Sequence, residues 1–263
     1  MPGFTEISPK SLMRLLGTPD APQLLDVCLE EDFREDPRLI PTARRIPHGA
    51  VGQAGLEAAQ RVVVVCQKGK KLSHGAAALL RAKGAHAEAL AGGVHAWRHA
   101  GLAFFFGARI PRGPLWVKRH RPKLDRIACP WLIRRFIDPG AEFLFVPPAE
   151  VTEIARRFDA IPFDVPESLF HDGPGGCSFD ALLAHFSLET EALTRLAKII
   201  RAADLASGDA PEAAGLAAIT VGLSRLFKDD QAQLTAGLPM YDALYRWARD
   251  GQSETHGHEG RPA

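Results

Sequence analysis

The sequence predicts an α/β protein in two parts, an N-terminal parallel sheet with flanking helices and a C-terminal, mainly α-helical (α+β) domain. The first observation is a run of four valines, residues 62–65, which is typical of a buried parallel strand. The second is the alternation of strand-like and helical segments through the first half of the chain. The third is the set of long amphipathic patterns in the second half.

The first half begins with a predicted helix over 10–17, for which Ser8 supplies the N-cap and Pro9 the first turn. A further helix is predicted over 72–81, and strands over 23–27, 61–66 and 87–90. Phenylalanine, glycine and proline residues between 104 and 114 interrupt this alternation. We therefore predict a first domain over 1–106 and a linker over 107–114.

The second half is predicted to form a domain over 115–250, with early helices over 151–158 and 178–186. A late apolar stripe recurs at spacings of four and three and is predicted to face the core; it consists of Leu234, Leu238, Tyr241, Tyr245 and Ala248. Residues 251–263 have no apolar periodicity, so we predict a disordered tail.

Composition excludes several classes of protein. Hydrophobic residues make up 46% and charged residues 24% of the chain, as in ordinary soluble domains. A net charge of +1 gives no reason to expect nucleic acid or an acidic membrane surface as a partner. Neither a signal peptide nor a membrane-spanning stretch is recognisable, so we expect a cytoplasmic protein. The four cysteines form no C-x-x-C pair, and the oligomeric state stays open.

Cys66 is the strongest candidate for a reactive residue. It follows the valine run and begins a short cationic loop before the next helix, with the sequence Cys66-Gln67-Lys68-Gly69-Lys70-Lys71. A helix N-terminus and lysine side chains both stabilise a thiolate. A free cysteine can also be a small buried hydrophobe, but the electropositive loop favours a nucleophile.

The loop resembles the active-site loop of rhodanese-type sulfurtransferases, which commonly reads Cys-x-x-Gly-x-Arg. Three further segments agree with that family in order and spacing, namely Leu-Leu-Asp-Val at 24–27, Ile-Pro-His-Gly-Ala at 46–50, and the Gly-Gly-x-x-x-Trp block at 92–97. Two positions depart from the family. Cys28 replaces a frequent arginine, and Lys71 replaces the loop-closing arginine, which keeps the charge but loses bidentate hydrogen bonding.

This resemblance implies an enzyme in which Cys66 accepts sulfur from thiosulfate or a similar small anionic donor. The resulting persulfide would pass its outer sulfur to a thiol acceptor or to cyanide without a cofactor. Lys71 and its neighbours Gln67, Lys68, Gly69 and Lys70 would bind the donor and stabilise the leaving sulfite. Asp26 is expected to order the surroundings of the loop.

The second half resembles the C-terminal domain of the chromate-resistance family of ChrB type. The resemblance starts in the segment 116–138, which contains Arg-Ile-Ala-Cys-Pro-Trp-Leu-Ile-Arg-Arg-Phe-Ile-Asp, and continues through 141–144, 171–180, 213–216 and 241–245. It implies a role connected with chromate resistance and with expression of a chromate transporter, but it implies no reaction.

Two groups of residues in this half could carry chemistry. The first is a cationic cluster suited to an oxyanion or a phosphate backbone, formed by Lys118, Arg119, Arg121, Lys123, Arg126, Arg134 and Arg135. The second is a set suited to a divalent transition metal such as zinc or iron, formed by Asp125, His171 and Asp204, with Cys177 or Asp180 as a further ligand. A solvated basic face and a capped loop are the structural alternatives.

Two other functions remain open. A cradled thiolate also serves oxyanion reductases and phosphatases of the rhodanese fold, although their loops are usually one residue longer and end in arginine. A chromate- or redox-responsive regulator of transporter expression would use the cationic cluster to contact DNA. No helix-turn-helix pattern accompanies that cluster, so nucleic acid is not an expected partner.

Overall fold

We describe the protein from a computed structural model. It describes residues 5–56, 59–106, 115–122, 124–166, 168–171 and 176–254, except for the side chains of Phe106 and Asp125. The predicted linker, 107–114, lies outside these residues, as does most of the predicted tail. Within the described residues, no helix combines the length and the apolar character needed to cross a bilayer.

The N-terminal region contains a five-stranded sheet in the order β1-β6-β5-β2-β4, and every neighbouring pair of strands is parallel. Its strands are β1 (Glu6–Ile7), β2 (Gln23–Asp26), β4 (Arg44–Arg45), β5 (Arg61–Val65) and β6 (His86–Leu90). The helices that accompany it are α1 (Pro9–Leu15), α2 (Glu30–Glu35), α3 (Lys71–Ala82) and α4 (Gly93–His99). Two short strands, β3 (Arg38–Leu39) and β7 (Phe105–Phe106), pair antiparallel beside it.

The predicted strand over 61–66 and the predicted helix over 72–81 are confirmed, to within one residue at their ends, as β5 and α3. All four valines of β5 are fully buried because the sheet has one apolar cluster on each face. The Ser8 hydroxyl caps α1 by accepting a hydrogen bond from the Ser11 backbone N–H, as predicted.

The C-terminal region is mainly helical, as predicted, around a three-stranded parallel sheet in the order β10-β8-β9. Its strands are β8 (Leu115–Arg119), β9 (Glu142–Val146) and β10 (Ile161–Pro162). Its helices are α5 (Leu124–Leu132), which continues as a π turn (Ile133–Ile137), α6 (Val151–Phe158), α7 (Ser178–Phe186), α8 (Glu191–Leu205), α9 (Ala213–Leu226) and α10 (Asp230–Asp250). The predicted late apolar stripe is buried on α10.

The two regions share one hydrophobic cluster. Leu12 and Leu16 from the first region belong to the same cluster as Phe136 and Tyr245 from the second. The Thr42 N–H donates a hydrogen bond to the Phe136 carbonyl oxygen over 3.1 Å, which joins the two backbones. The regions therefore pack as neighbours with a common apolar interior.

Candidate functional site

Cys66 lies directly beyond the C-terminal end of β5 and is only 4% exposed. Its Sγ is 3.2 Å from the Oγ of Ser73, to which the thiol donates a hydrogen bond. The Ser73 hydroxyl in turn donates to the Lys70 carbonyl oxygen over 3.2 Å. Ser73 is fully buried in the first turn of α3, so a hydroxyl group is fixed beside the sulfur.

The loop after Cys66 packs against the backbone of a glycine pair at the start of α4. The Val94 and His95 N–H groups donate to the carbonyl oxygens of Cys66 and Gln67 over 3.1 and 3.0 Å. Gly69 and Gly93 face each other with φ angles of +60° and +58°, and a Cβ on either would overlap the other's backbone N. The Gly-Gly-x-x-x-Trp block thus supports the cysteine loop.

The backbone N–H groups of Gln67, Lys68, Lys70 and Lys71 form a row of donors without a backbone acceptor in the described part of the chain. The Gly69 N–H lies at the end of a hydrogen-bonded turn over residues 67 and 68. The loop leads into the N-terminus of α3, which has no side-chain cap and no acidic residue in its first turn. Free N–H groups at a helix N-terminus attract an anion.

Three lysines surround this row. Lys68, Lys70 and Lys71 are exposed, and within the described residues none of them forms an ion pair. Positive charge near a helix N-terminus is unfavourable because the helix dipole has the same sign there. The lysines and the amides therefore favour a bound anion over an empty loop.

Asp26 lies at the end of β2 and is 2% exposed. Its Oδ1 accepts a hydrogen bond from the Cys28 N–H over 2.8 Å. Burial raises the pKa of Asp26, whereas the hydrogen bonds with Cys28 and the Arg45 charge lower it. Asp26 orders the turn after β2 through its contact with Cys28, and its role at the Cys66 loop stays a prediction.

Cys28 is half-buried and occupies the position where the rhodanese family often has arginine. Burial raises the pKa of the Cys28 thiol strongly, and the adjacent Asp26 carboxylate adds to the increase. This thiol therefore stays protonated near neutral pH, unlike an activated nucleophile.

A small cavity of about 190 Å³ adjoins the loop. Gln67 and His95 line it from the loop and from α4, and Asp26 and Cys28 line it from the end of β2. The remaining polar side chains are carboxylates and arginines, namely Asp32, Glu35, Asp36, Arg38 and Arg98. An ion pair joins Arg98 to Asp36, and Arg38 forms a second with the same carboxylate at 2.7 Å.

Sequence reasoning did not identify Ser73. Its position carried a usable signal, since a serine in the first turn of the helix after a reactive loop is within reach of the residue that begins the loop. The sequence likewise did not indicate a physical role for the Gly92–Gly93 pair. The contacts of this pair with the Cys66 loop supply that role.

The structure does not assemble the predicted metal ligands among the residues it describes. His171 and Asp204 are exposed, and the Asp125 side chain lies outside the described residues. Across the described part of the chain, no three His, Cys, Asp or Glu side chains are grouped as a metal site. The metal site at Asp125, His171 and Asp204 therefore stays a prediction.

The two further candidate ligands have structural partners. Asp180 Oδ2 accepts a hydrogen bond from the Cys177 N–H over 3.0 Å, which caps α7. Its other carboxylate oxygen accepts one from Arg201 over 2.6 Å. Asp180 is thus held by a cap and an ion pair.

The predicted cationic cluster is divided among separate acidic partners. Arg119 and Arg126 approach the buried Asp164 carboxylate at 3.0 and 3.1 Å. Arg135 forms two hydrogen bonds of 2.8 Å with Asp242, which also accepts one from the Trp131 indole. Lys118 is fully buried with its Nζ 4.4 Å from the centre of the Phe163 ring. These four cations are engaged by partners within the protein, whereas Arg121 is exposed and Lys123 lies outside the described residues.

Comparison with known families covers both regions. Residues 116–248 match the family described as the C-terminal domain of ChrB, and residues 8–100 match the rhodanese-like domain. The chain is 36% identical over 137 residues to a protein named ChrB from Cupriavidus metallidurans, which covers 51% of this chain and 40% of that protein. The chain therefore spans less than half the length of that relative.

Two of the similar solved structures are proteins with rhodanese-type names. A rhodanese-related protein from Thermoplasma volcanium is 21% identical and aligns with 39% of this chain and 99% of its own, at a TM-score of 0.34. A thiosulfate sulfurtransferase from Pseudomonas aeruginosa is 29% identical and aligns with 39% of this chain and 19% of its own, at a TM-score of 0.33.

Proposed function

The chain belongs to the family defined by the ChrB C-terminal domain, which it joins to a rhodanese-like domain, and we propose that it is a sulfurtransferase acting through a Cys66 persulfide. The donor is thiosulfate or a similar small anion, and the acceptor is a thiol or another thiophilic group. The relationship to ChrB supports a role in resistance to chromate or other oxyanion stress.

One observation supports the proposal above all, namely the row of backbone N–H groups of Gln67, Lys68, Lys70 and Lys71 between Cys66 and α3, which have no backbone acceptor among the described residues. A persulfide carries negative charge on its outer sulfur, and we expect these donors to stabilise it. The uncompensated lysines add an attraction for a dianionic donor.

The chemistry needs no external oxidant. The Cys66 thiolate attacks the outer sulfur of thiosulfate, an S–S bond forms, and the donor's own S–S bond breaks to release sulfite with the electron pair. An acceptor nucleophile such as cyanide then attacks the outer persulfide sulfur and leaves as thiocyanate, which restores the Cys66 thiolate. Ser73 can turn its hydroxyl from the Lys70 carbonyl toward the thiolate and donate to it.

Mass spectrometry after thiosulfate treatment tests the proposal. We expect the intact chain to gain one sulfur atom, peptide mapping to assign the sulfur to Cys66, and cyanide to remove it as thiocyanate. Cys66→Ser should abolish both the gain and thiosulfate:cyanide transfer while leaving the circular dichroism spectrum unchanged. Cys28→Ser is the matched control, because its protonated thiol is not expected to carry the sulfur.

Two outcomes would overturn the proposal. Transfer that persists in Cys66→Ser would remove Cys66 from the mechanism. A wild-type chain that gains no sulfur but reduces an oxyanion or hydrolyses a phosphate ester would establish the alternative chemistry of a cradled thiolate.

A further inference from the structure

Helix α9 leaves an apolar face in solvent. Its inner face packs on the domain through Leu216, Thr220 and Ser224, which are at most 6% exposed. Three large aliphatic side chains are open to water on the two flanks of the outer side, Ile219 at 54% and Leu226 at 74% exposure on one flank and Val221 at 46% on the other. No charged residue occurs between Glu212 and Arg225, although polar residues normally cover an exposed helix face.

Two glycines lie on this outer face. Gly215 and Gly222 are both exposed and flank the exposed Ala218. A Cβ added to either glycine would meet nothing within 4 Å, so the chain's own packing does not require them. Glycine within a helix is unfavourable relative to alanine. What these glycines permit is the close approach of another backbone from outside.

The two ends of α9 carry opposite charges. Asp209 and Glu212 lie at its N-terminal end, and Arg225 and Lys228 lie at its C-terminal end. A second α9 running antiparallel would bring each acidic end against a basic end. A parallel copy would place like charges together.

We infer that α9 is the interface of a homodimer in which two copies of the helix pack antiparallel about a twofold axis. An axis between Ala218 and Ile219 places Gly215 opposite Gly222 and Glu212 opposite Arg225 of the second copy. Asp209 and Lys228 lie beyond the two ends of the helix and extend the same charge pattern. The same patch serves both chains, as closed twofold assemblies require.

Sedimentation equilibrium of the full chain over a range of concentrations tests this inference. We expect the wild type to approach twice the 28.5 kDa of one chain. Ile219→Glu should sediment as a monomer with an unchanged circular dichroism spectrum, because the side chain is exposed. A wild type that stays monomeric up to about 100 μM would overturn the inference, because its self-association would then be far weaker than typical specific association.

Gly222→Leu provides a second, more specific test of the interface. The change adds helix propensity and enters open space in the single chain, so the fold should persist while dimerisation is lost. Gly75→Leu is the matched control, since Gly75 is also an exposed glycine within a helix with open space above it. A Gly222→Leu dimer as tight as the wild type would exclude α9 from the interface.

Charge reversal tests the antiparallel register. Glu212→Arg and Arg225→Glu should each weaken the dimer on the order of tenfold, because each change creates two repulsive pairs across the axis. The double variant restores both pairs and should return to near wild-type affinity. A double variant as weak as the sum of the two single changes would contradict this register.

Discussion

The Ser73 hydroxyl lies 3.2 Å from the Cys66 sulfur, although Ser73 lies outside the Cys66–Lys71 loop that resembles the rhodanese motif. Ser73 is fully buried, whereas we expect the donor anion to bind on the solvent side of the loop, where the lysines are exposed. We therefore expect the hydroxyl to act on the sulfur and the lysines to act on the donor. This division predicts different kinetic effects for the two groups.

Ser73→Ala should lower kcat for thiosulfate:cyanide transfer on the order of tenfold while leaving the KM for thiosulfate close to the wild-type value. The reason is that a hydrogen bond to a charged group contributes about 1.5–3 kcal/mol, and this one is made to the reacting sulfur. Steady-state kinetics with thiosulfate as the varied substrate measure both constants. A higher KM with an unchanged kcat would show that Ser73 helps to bind the donor instead.

Lys71→Ala should raise the KM for thiosulfate and lower kcat/KM on the order of tenfold, because a charge-assisted contact to the donor is lost. Its melting temperature without ligand should be equal to or above that of the wild type, since a cation at the N-terminus of α3 is removed. Lys10→Ala is the matched control, because Lys10 is also exposed in the first turn of a helix. Equal kinetics in both variants would mean that Lys71 does not contact the donor.

The extent of prediction from sequence differs between the two halves for a physical reason. The Cys66 loop could be predicted because a buried strand, a glycine turn and a helix start are local features of the chain. The division of the cationic cluster among separate partners could not be predicted. Arg119 pairs with Asp164, which is 45 residues away in the sequence, and Arg135 pairs with Asp242, which is 107 residues away. Pairing at such separations is decided by tertiary packing, so a run of like charges did not predict an anion site.

Gly93→Ala should inactivate the protein by displacing the Cys66 loop. A Cβ at this position would overlap the Cys66 carbonyl oxygen and lie 2.8 Å from that of Gln67, in addition to the strain of a positive φ. Gly101→Ala separates the two effects, because Gly101 has a φ of +66° but open space above it. We expect Gly101→Ala to cost about 1–2 kcal/mol of stability with activity retained. Urea unfolding measures the stability of the two variants, and the transfer assay measures their activity. Equal losses of activity in Gly93→Ala and Gly101→Ala would assign the effect at Gly93 to backbone strain alone.

The packing of the two regions can be tested at Gly17. A Cβ there would overlap the Phe136 ring and lie 2.7 Å from Cε1 of Tyr245, both in the C-terminal region. Gly17→Ala should therefore destabilise the whole chain by more than Gly84→Ala, whose φ is also positive but whose Cβ would meet nothing.

Phe136→Ala removes the ring that the new methyl group meets, at the cost of a cavity. If the regions pack as described, the free energies of unfolding will not add, and Gly17→Ala will cost less in the Phe136→Ala background than in the wild type. Strict additivity in this double-mutant cycle would show that Gly17 and Phe136 do not meet in solution.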